Sequence, residues 1–166
     1  MFEAPAIAPE ILSFSLPDAA GKTVSPSEYI GRPVLVFFFR GFWCAYCVAQ
    51  LVDLERLKAT SLARVPVLAI SPDGPGAIRA GLAAVAKDRG VKLTHRFLAD
   101  ADARYAARYG WAEASGPRAV RPPTLVLLDA QGRDVWHAGE SHFQARSFEV
   151  PLREAIARLH EDAAAP

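Results

Sequence analysis

The run VLVFFF at 34–39, with Pro33 before it and Gly41 just beyond, constrains the fold more than any other stretch of the chain. It is continuously apolar and rich in β-branched and aromatic residues, so neither of its faces suits water. Such a segment reads as a strand covered on both sides, the kind found in parallel or mixed sheets with helices packed against them. The pattern then changes. From 45 to about 59, Val48, Leu51, Val52, Leu54 and Leu57 recur at helical spacing, while Gln50, Asp53 and Arg56 fall on the other side, which predicts an amphipathic helix. The only two cysteines, Cys44 and Cys47, therefore stand where a buried strand turns into a helix.

The remaining punctuation repeats this alternation. VPVLAIS at 65–71 reads as a second buried strand, and 75–89, with Ile78, Leu82 and Val85 and a closing Gly90, as a second helix. A short extended piece at 96–99 precedes DADARYAARYG, expected to form a short helix ending at Gly110. TLVLLDAQGRDVWHA then shows a strand, a tight turn at 129–132 and an antiparallel return. Leu152, Ile156 and Leu159 mark a terminal helix over 151–161. Near the start, FSLPDAAGKTV places two extended arms around the turn-forming cluster at 18–21. Strands alternating with helices, followed by a hairpin and a helix, predict an α/β chain with a helix-covered mixed sheet. At 166 residues and 51% hydrophobic, without repeat or linker, it is expected to be one domain spanning 1–166.

Nineteen Lys and Arg balance eighteen Asp and Glu with no long block of one sign, which gives no electrostatic case for nucleic acid or a membrane surface. The opening MFEAPAIAPEILSF has an acid and prolines where a signal peptide would carry basic residues and an unbroken apolar segment, so a cytoplasmic protein is expected. In a reducing compartment two cysteines do not serve as a structural staple. Their close pairing calls for a chemical explanation.

At the start of a helix, the sulfur of Cys44 meets free backbone N–H groups and the positive end of the helix dipole. Both favour thiolate over thiol and bring the pKa below the free value of about 8.5. Cys44 is thus expected to be the exposed nucleophile, and Cys47, one turn further in, the partner that resolves a mixed disulfide. Arg40 either adds positive charge near the sulfur or runs out to solvent. Gly41 permits a turn that a β-carbon would hinder, and Trp43 either shields the thiol or packs in the core. A zinc site from the cysteines with His137 and His142 would need ligand pairs about ninety residues apart, against the roughly 12 to 15 of a compact finger, so no metal is expected. Buried, inert cysteines are the remaining alternative, although C-x-x-C behind a buried strand and opening a helix is uncommon by chance.

In order, GKTVSPSEYIGRPVLVFFFRGFWCAYC, HRFLADADARYAARYG and PPTLVLLDAQG resemble the peroxiredoxin-like branch of the thioredoxin superfamily, the alkyl hydroperoxide reductase and thiol-specific antioxidant group. The resemblance runs over about 11–160. It implies a thioredoxin-like fold, with a central mixed sheet of about five strands flanked by helices and an N-terminal β-hairpin extension. The site departs from the family pattern Pro-x-x-x-Thr-x-x-Cys. Aligning the strand puts Cys47 at the peroxidatic position, Cys44 at the threonine and Arg40 at the proline, while the family's later arginine falls on Pro123. Trp43-Cys44-x-x-Cys47 instead resembles the thioredoxin site, and Pro123-Thr124 resembles that family's cis-proline and threonine. Arg121 is either an ordinary surface arginine or a displaced peroxide-binding residue, and Ala45 replaces the proline common in such sites.

The resemblance and the residues together imply a thiol–disulfide oxidoreductase cycling Cys44 and Cys47 between dithiol and disulfide. The alternative is a peroxidase acting on hydrogen peroxide or organic hydroperoxides, an antioxidant activity in which one cysteine passes through a sulfenic acid. A thioredoxin-fold binding module with idle cysteines is the reading of another class. No organic cofactor or metal is expected. The expected partners are a disulfide or peroxide substrate and a thiol reductant of thioredoxin, glutaredoxin or glutathione type.

Overall fold

The structure is a computed structural model that describes residues 14–108, 123–139 and 148–165. β1 (Leu16–Pro17) and β2 (Thr23–Val24) form a small antiparallel pair. β3 (Val34–Phe38) leads into α1 (Ala45–Leu57), followed by β4 (Val67–Ser71), α2 (Pro75–Arg89) and β5 (Arg96–Ala99). A short 3-10 turn and α3 (Arg104–Arg108) come next, then the hairpin strands β6 (Thr124–Leu128) and β7 (Asp134–Ala138), and α4 (Glu149–Ala164). β3 lies at the centre of a five-stranded mixed sheet ordered β5-β4-β3-β6-β7, parallel to β4 and antiparallel to β6.

All five residues of β3 are buried, as the unbroken apolar run requires, and its period of two divides them between two cores. Leu35, Phe37 and the following Phe39 face the layer formed by α1, α2 and α4. Val34, Val36 and Phe38 face Phe14, Leu16, Val24, Tyr29 and Ala103. Each fully buried phenylalanine contributes roughly 2–3 kcal/mol of hydrophobic stabilisation. The strand that leads into the cysteines is thus held on both faces and both edges. Among the described residues no helix is long and apolar enough to cross a membrane.

The N-terminal pair is the expected hairpin extension. Asp18 Oδ1 accepts from the N–H groups of Ala20 and Lys22, both at 2.9 Å, and Gly21 takes a positive φ of 84° to close the turn.

Three expectations need correction. α1 ends at Leu57, because the chain closes into a series of turns in which Leu57 O accepts from both Thr60 and Leu62. The helix is also covered more widely than its pattern suggested: Gln50 and Asp53 are buried, and only Arg56 of the three polar positions is exposed. α4 begins two residues before Pro151, which sits in the first turn, where a missing N–H breaks no helical bond. The expected end of the short helix at Gly110 lies outside the described residues.

Candidate active site

The topology brings three chain segments to one end of the sheet. β3 ends there, and the turn 39–44 continues from it. β4 runs parallel with Phe38 opposite Ile70, so Ser71 and the loop after it lie alongside. β6 runs antiparallel with Thr124 opposite Phe38, so Pro123 and Thr124 open that strand at the same end. Thr124 is buried and Pro123 half-buried. Among the described residues no peptide bond is cis, while the bond into Pro123 begins at Pro122, outside them. Arg121 and His142 also lie outside, and His137 sits on β7 with Nδ1 2.9 Å from Asp134 Oδ2. Among the described residues no cluster of His, Cys, Asp and Glu is suited to a metal ion.

Cys44 occupies the N-cap of α1 with extended backbone angles, and its sulfur takes the role that a serine or aspartate oxygen plays at other helices. The N–H of Cys47 donates to Cys44 Sγ at 3.3 Å, and the N–H of Val48 to Cys44 O at 3.0 Å. A hydrogen bond from the Cys47 side chain contributes most to lowering the Cys44 pKa, to about 6; the N–H groups of Cys47 and Tyr46 and the charge of Arg40 add to it and outweigh burial. The same donation, together with burial, pushes the Cys47 thiol far up. The pair therefore holds one proton near neutrality, and Cys47 keeps it. At pH 7 a group titrating near 6 is about nine-tenths thiolate.

Cys44 is less open than its position suggested. It is 7% exposed and Cys47 0%, because both sulfurs belong to the core layer beneath α1. Beside the cap Trp43 and Tyr46 are strongly exposed. Trp43 is therefore not a core residue. The Arg40 guanidinium lies over its ring at 4.6 Å, a cation–π contact that keeps the positive charge beside the sulfurs rather than out in solvent.

Gly41 meets the expectation of a turn closed to other residues. Its φ is +135°, and a β-carbon there would stand 2.8 Å from Trp43 Cδ1 and Nε1. Its carbonyl accepts the N–H of Cys44 at 3.1 Å.

Two contributors were not foreseen. Asp73, in the loop after β4, accepts the N–H of Phe42 at 3.1 Å through Oδ2, which also accepts the Ser71 hydroxyl at 3.3 Å. Gly81, inside α2, leaves space for the Phe42 ring, since a β-carbon there would come within 2.2 Å of Phe42 Cγ. A usable signal existed for each. Asp73 follows a strand parallel to the cysteine strand, where loops at the carboxyl ends converge, and a lone glycine inside a helix pattern marks close packing.

A mixed sheet with a central strand feeding a dithiol at a helix N-terminus defines a thioredoxin-like fold with a C-x-x-C pair at the strand-to-helix turn. The chain belongs to the Redoxin family, whose model matches residues 4–145. Two Mycobacterium tuberculosis proteins from different strains, provisionally named as peroxiredoxins, are each 39% identical over 64 residues. That match covers 38% of this chain and 41% of each relative, so it spans less than half the length of either. Among solved structures, a secreted disulfide oxidoreductase of M. tuberculosis homologous to E. coli DsbE superposes with a TM-score of 0.67 at 23% identity, covering 91% of this chain and 99% of that one. The M. tuberculosis peroxidoxin BcpB gives 0.70 at 21%, covering 92% and 94%. These two likenesses establish the shared fold.

Proposed function

We propose that the protein is a thiol–disulfide oxidoreductase in which Cys44 is the attacking sulfur and Cys47 the resolving one. The observation that carries this reading is the division of labour at the cap: Cys44 is held as a thiolate and keeps a small exposure, while Cys47 keeps the proton and is fully enclosed. The Cys44 thiolate attacks one sulfur of a substrate disulfide, and the other sulfur leaves as a thiolate and takes up a proton. Cys47 then loses its proton and attacks Cys44 Sγ, which releases the second substrate thiol and leaves the Cys44–Cys47 disulfide. Two electrons pass to the substrate, and a thiol reductant of thioredoxin, glutaredoxin or glutathione type restores the dithiol. Arg40 and the N–H groups of the first turn hold the negative charge, Gly41 shapes the turn, Trp43 stands exposed beside the cap, and Pro123 with Thr124 opens β6 at the same end of the sheet. A cytoplasmic location, with its reducing pool, belongs to the same reading.

Peroxide reduction is the second reading, favoured by the likeness to BcpB over nearly the whole chain and by the mycobacterial relatives. Here the Cys44 thiolate attacks the peroxide O–O bond, becomes a sulfenic acid and releases an alcohol or water once the leaving oxygen takes up a proton. Cys47 then condenses with the sulfenic acid and expels water. The enclosure of Cys47 counts against its serving as the first sulfur to meet the oxidant, the role that the strand alignment gives it.

The deciding experiment compares wild type, Cys44→Ser and Cys47→Ser for reduction of a protein disulfide and for consumption of peroxide. Cys44→Ser is expected to lose disulfide reduction entirely, and Cys47→Ser to accumulate a mixed disulfide at Cys44 visible by mass spectrometry. Full peroxidase activity in Cys44→Ser, beside a wild type that reduces no disulfide, overturns the assignment.

A further inference from the structure

We infer that Asp73 is a positioning residue for Cys44, fixing the turn that presents its sulfur to the helix N–H groups; this rests on the reading of Cys44 as the attacking thiolate. Between the end of β3 and the cap, the chain must reverse within a few residues through Gly41, whose backbone has no steric preference of its own to hold the turn. Two constraints replace that preference. The N–H of Cys44 closes onto Gly41 O, and the N–H of Phe42 is held by Asp73 Oδ2.

The carboxylate is itself fixed. Ser71 Oγ donates to Asp73 Oδ2 at 3.3 Å and accepts the Asp73 N–H at the same distance, so the side chain has little freedom to swing away. The ring of Phe42 is seated over Gly81 with no room to spare. The connection from β4 to α2 therefore grips Phe42 twice, by its amide through Asp73 and by its ring through α2. A carboxylate has the wrong sign to stabilise a thiolate through space, so what Asp73 contributes is geometry. It keeps Cys44 at the cap, where Sγ reaches the Cys47 N–H.

The test is the pH dependence of Cys44 alkylation by iodoacetamide, read by mass spectrometry, in wild type, Asp73→Ala, Asp73→Asn and Ser71→Ala, with circular dichroism and urea midpoints to verify folding. The wild-type midpoint is expected near about 6. Losing the hydrogen bond in Asp73→Ala should move it up by about one unit, which lowers the alkylation rate near pH 6 several-fold. Asp73→Asn retains an acceptor oxygen and should stay near wild type, and Ser71→Ala should shift in the same direction as Asp73→Ala by less. A folded Asp73→Ala with an unmoved midpoint overturns the inference, as does an Asp73→Asn shifted as far as the alanine variant. If Asp73→Ala does not fold, an unshifted Ser71→Ala overturns it. A wild type that itself titrates like free cysteine removes the proposed function, and this inference with it.

Discussion

The two ends of α1 each hold a titratable group with a lowered pKa, and they reach that state by opposite means. At the N-terminal end Cys44 is lowered to about 6, chiefly because the Cys47 side chain and the first-turn N–H groups stabilise its anion. At the C-terminal end His95 is lowered to about 4, chiefly because burial penalises its cation. The His95 ring is enclosed, with Nε2 2.8 Å from Leu51 O and 3.4 Å from Glu55 Oε2. Glu55 is held in turn by the hydroxyl and the N–H of Thr94, the latter at 2.7 Å, and Lys58 donates to Thr94 Oγ1 at 2.8 Å. One shift creates a charge at an opening; the other removes a charge in a closed wall. A displaced pKa marks a candidate site only when the favoured form is reactive and has a way out.

The largest expected effect separates the two ends by pH. Unfolded His95 binds its proton near its ordinary value of 6.5, whereas the folded ring binds it only near 4, so the unfolded state carries more protons between these values. That stability is fully present above pH 6.5 and is lost as the pH falls toward 4, by up to about 3 kcal/mol. Cys44 has the same sign in a higher window: its thiolate contributes above the ordinary 9.0 and the contribution is lost as the pH falls through about 6. Urea midpoints measured from pH 4 to 9 should show both slopes. His95→Gln should flatten only the lower one and Cys44→Ser only the upper one.

A smaller effect targets the cysteine end alone. Gly41→Ala forces a side chain into a positive φ and against the Trp43 ring. It should cost about 2 kcal/mol in urea unfolding and move Cys44 alkylation to higher pH, with the His95 slope intact. Gly81→Ala is expected to cost less. Overpacking against Phe42 costs roughly 1–3 kcal/mol, and alanine returns about 1 kcal/mol of helix propensity, which leaves about 1 kcal/mol. An equal response of both slopes to either variant would mean that the ends of α1 are not independent.

Much of this was legible in the sequence because it depends on local pattern. The run 34–39 announced a strand with two covered faces, and Gly90 marked the end of α2 through its left-handed cap. The cap position of Cys44 followed from the meeting of strand and helix patterns. What escaped depends on register. Asp73 reaches Phe42 only because β3 and β4 pair in parallel with Phe38 opposite Ile70, and the separation of 31 positions between Phe42 and Asp73 carries no such information. Arg40 and Trp43 were ambiguous for a related reason: whether an arginine runs to solvent or lies over a ring depends on side-chain direction after the strand ends. The burial of Gln50 and Asp53 likewise reflects a helix covered on more than one side, which periodicity does not encode.

A helix capped by sulfur has a helix start that changes with oxidation state. When Cys44 joins Cys47 in a disulfide its negative charge is discharged, and the Cys47 N–H loses the anion that served as its acceptor. Free energy that favours the capped thiolate favours the reduced protein over the oxidised one, and so makes the disulfide a more willing electron acceptor. In the proposed cycle, the first turn of α1 thus eases the step in which a thiol reductant restores the dithiol.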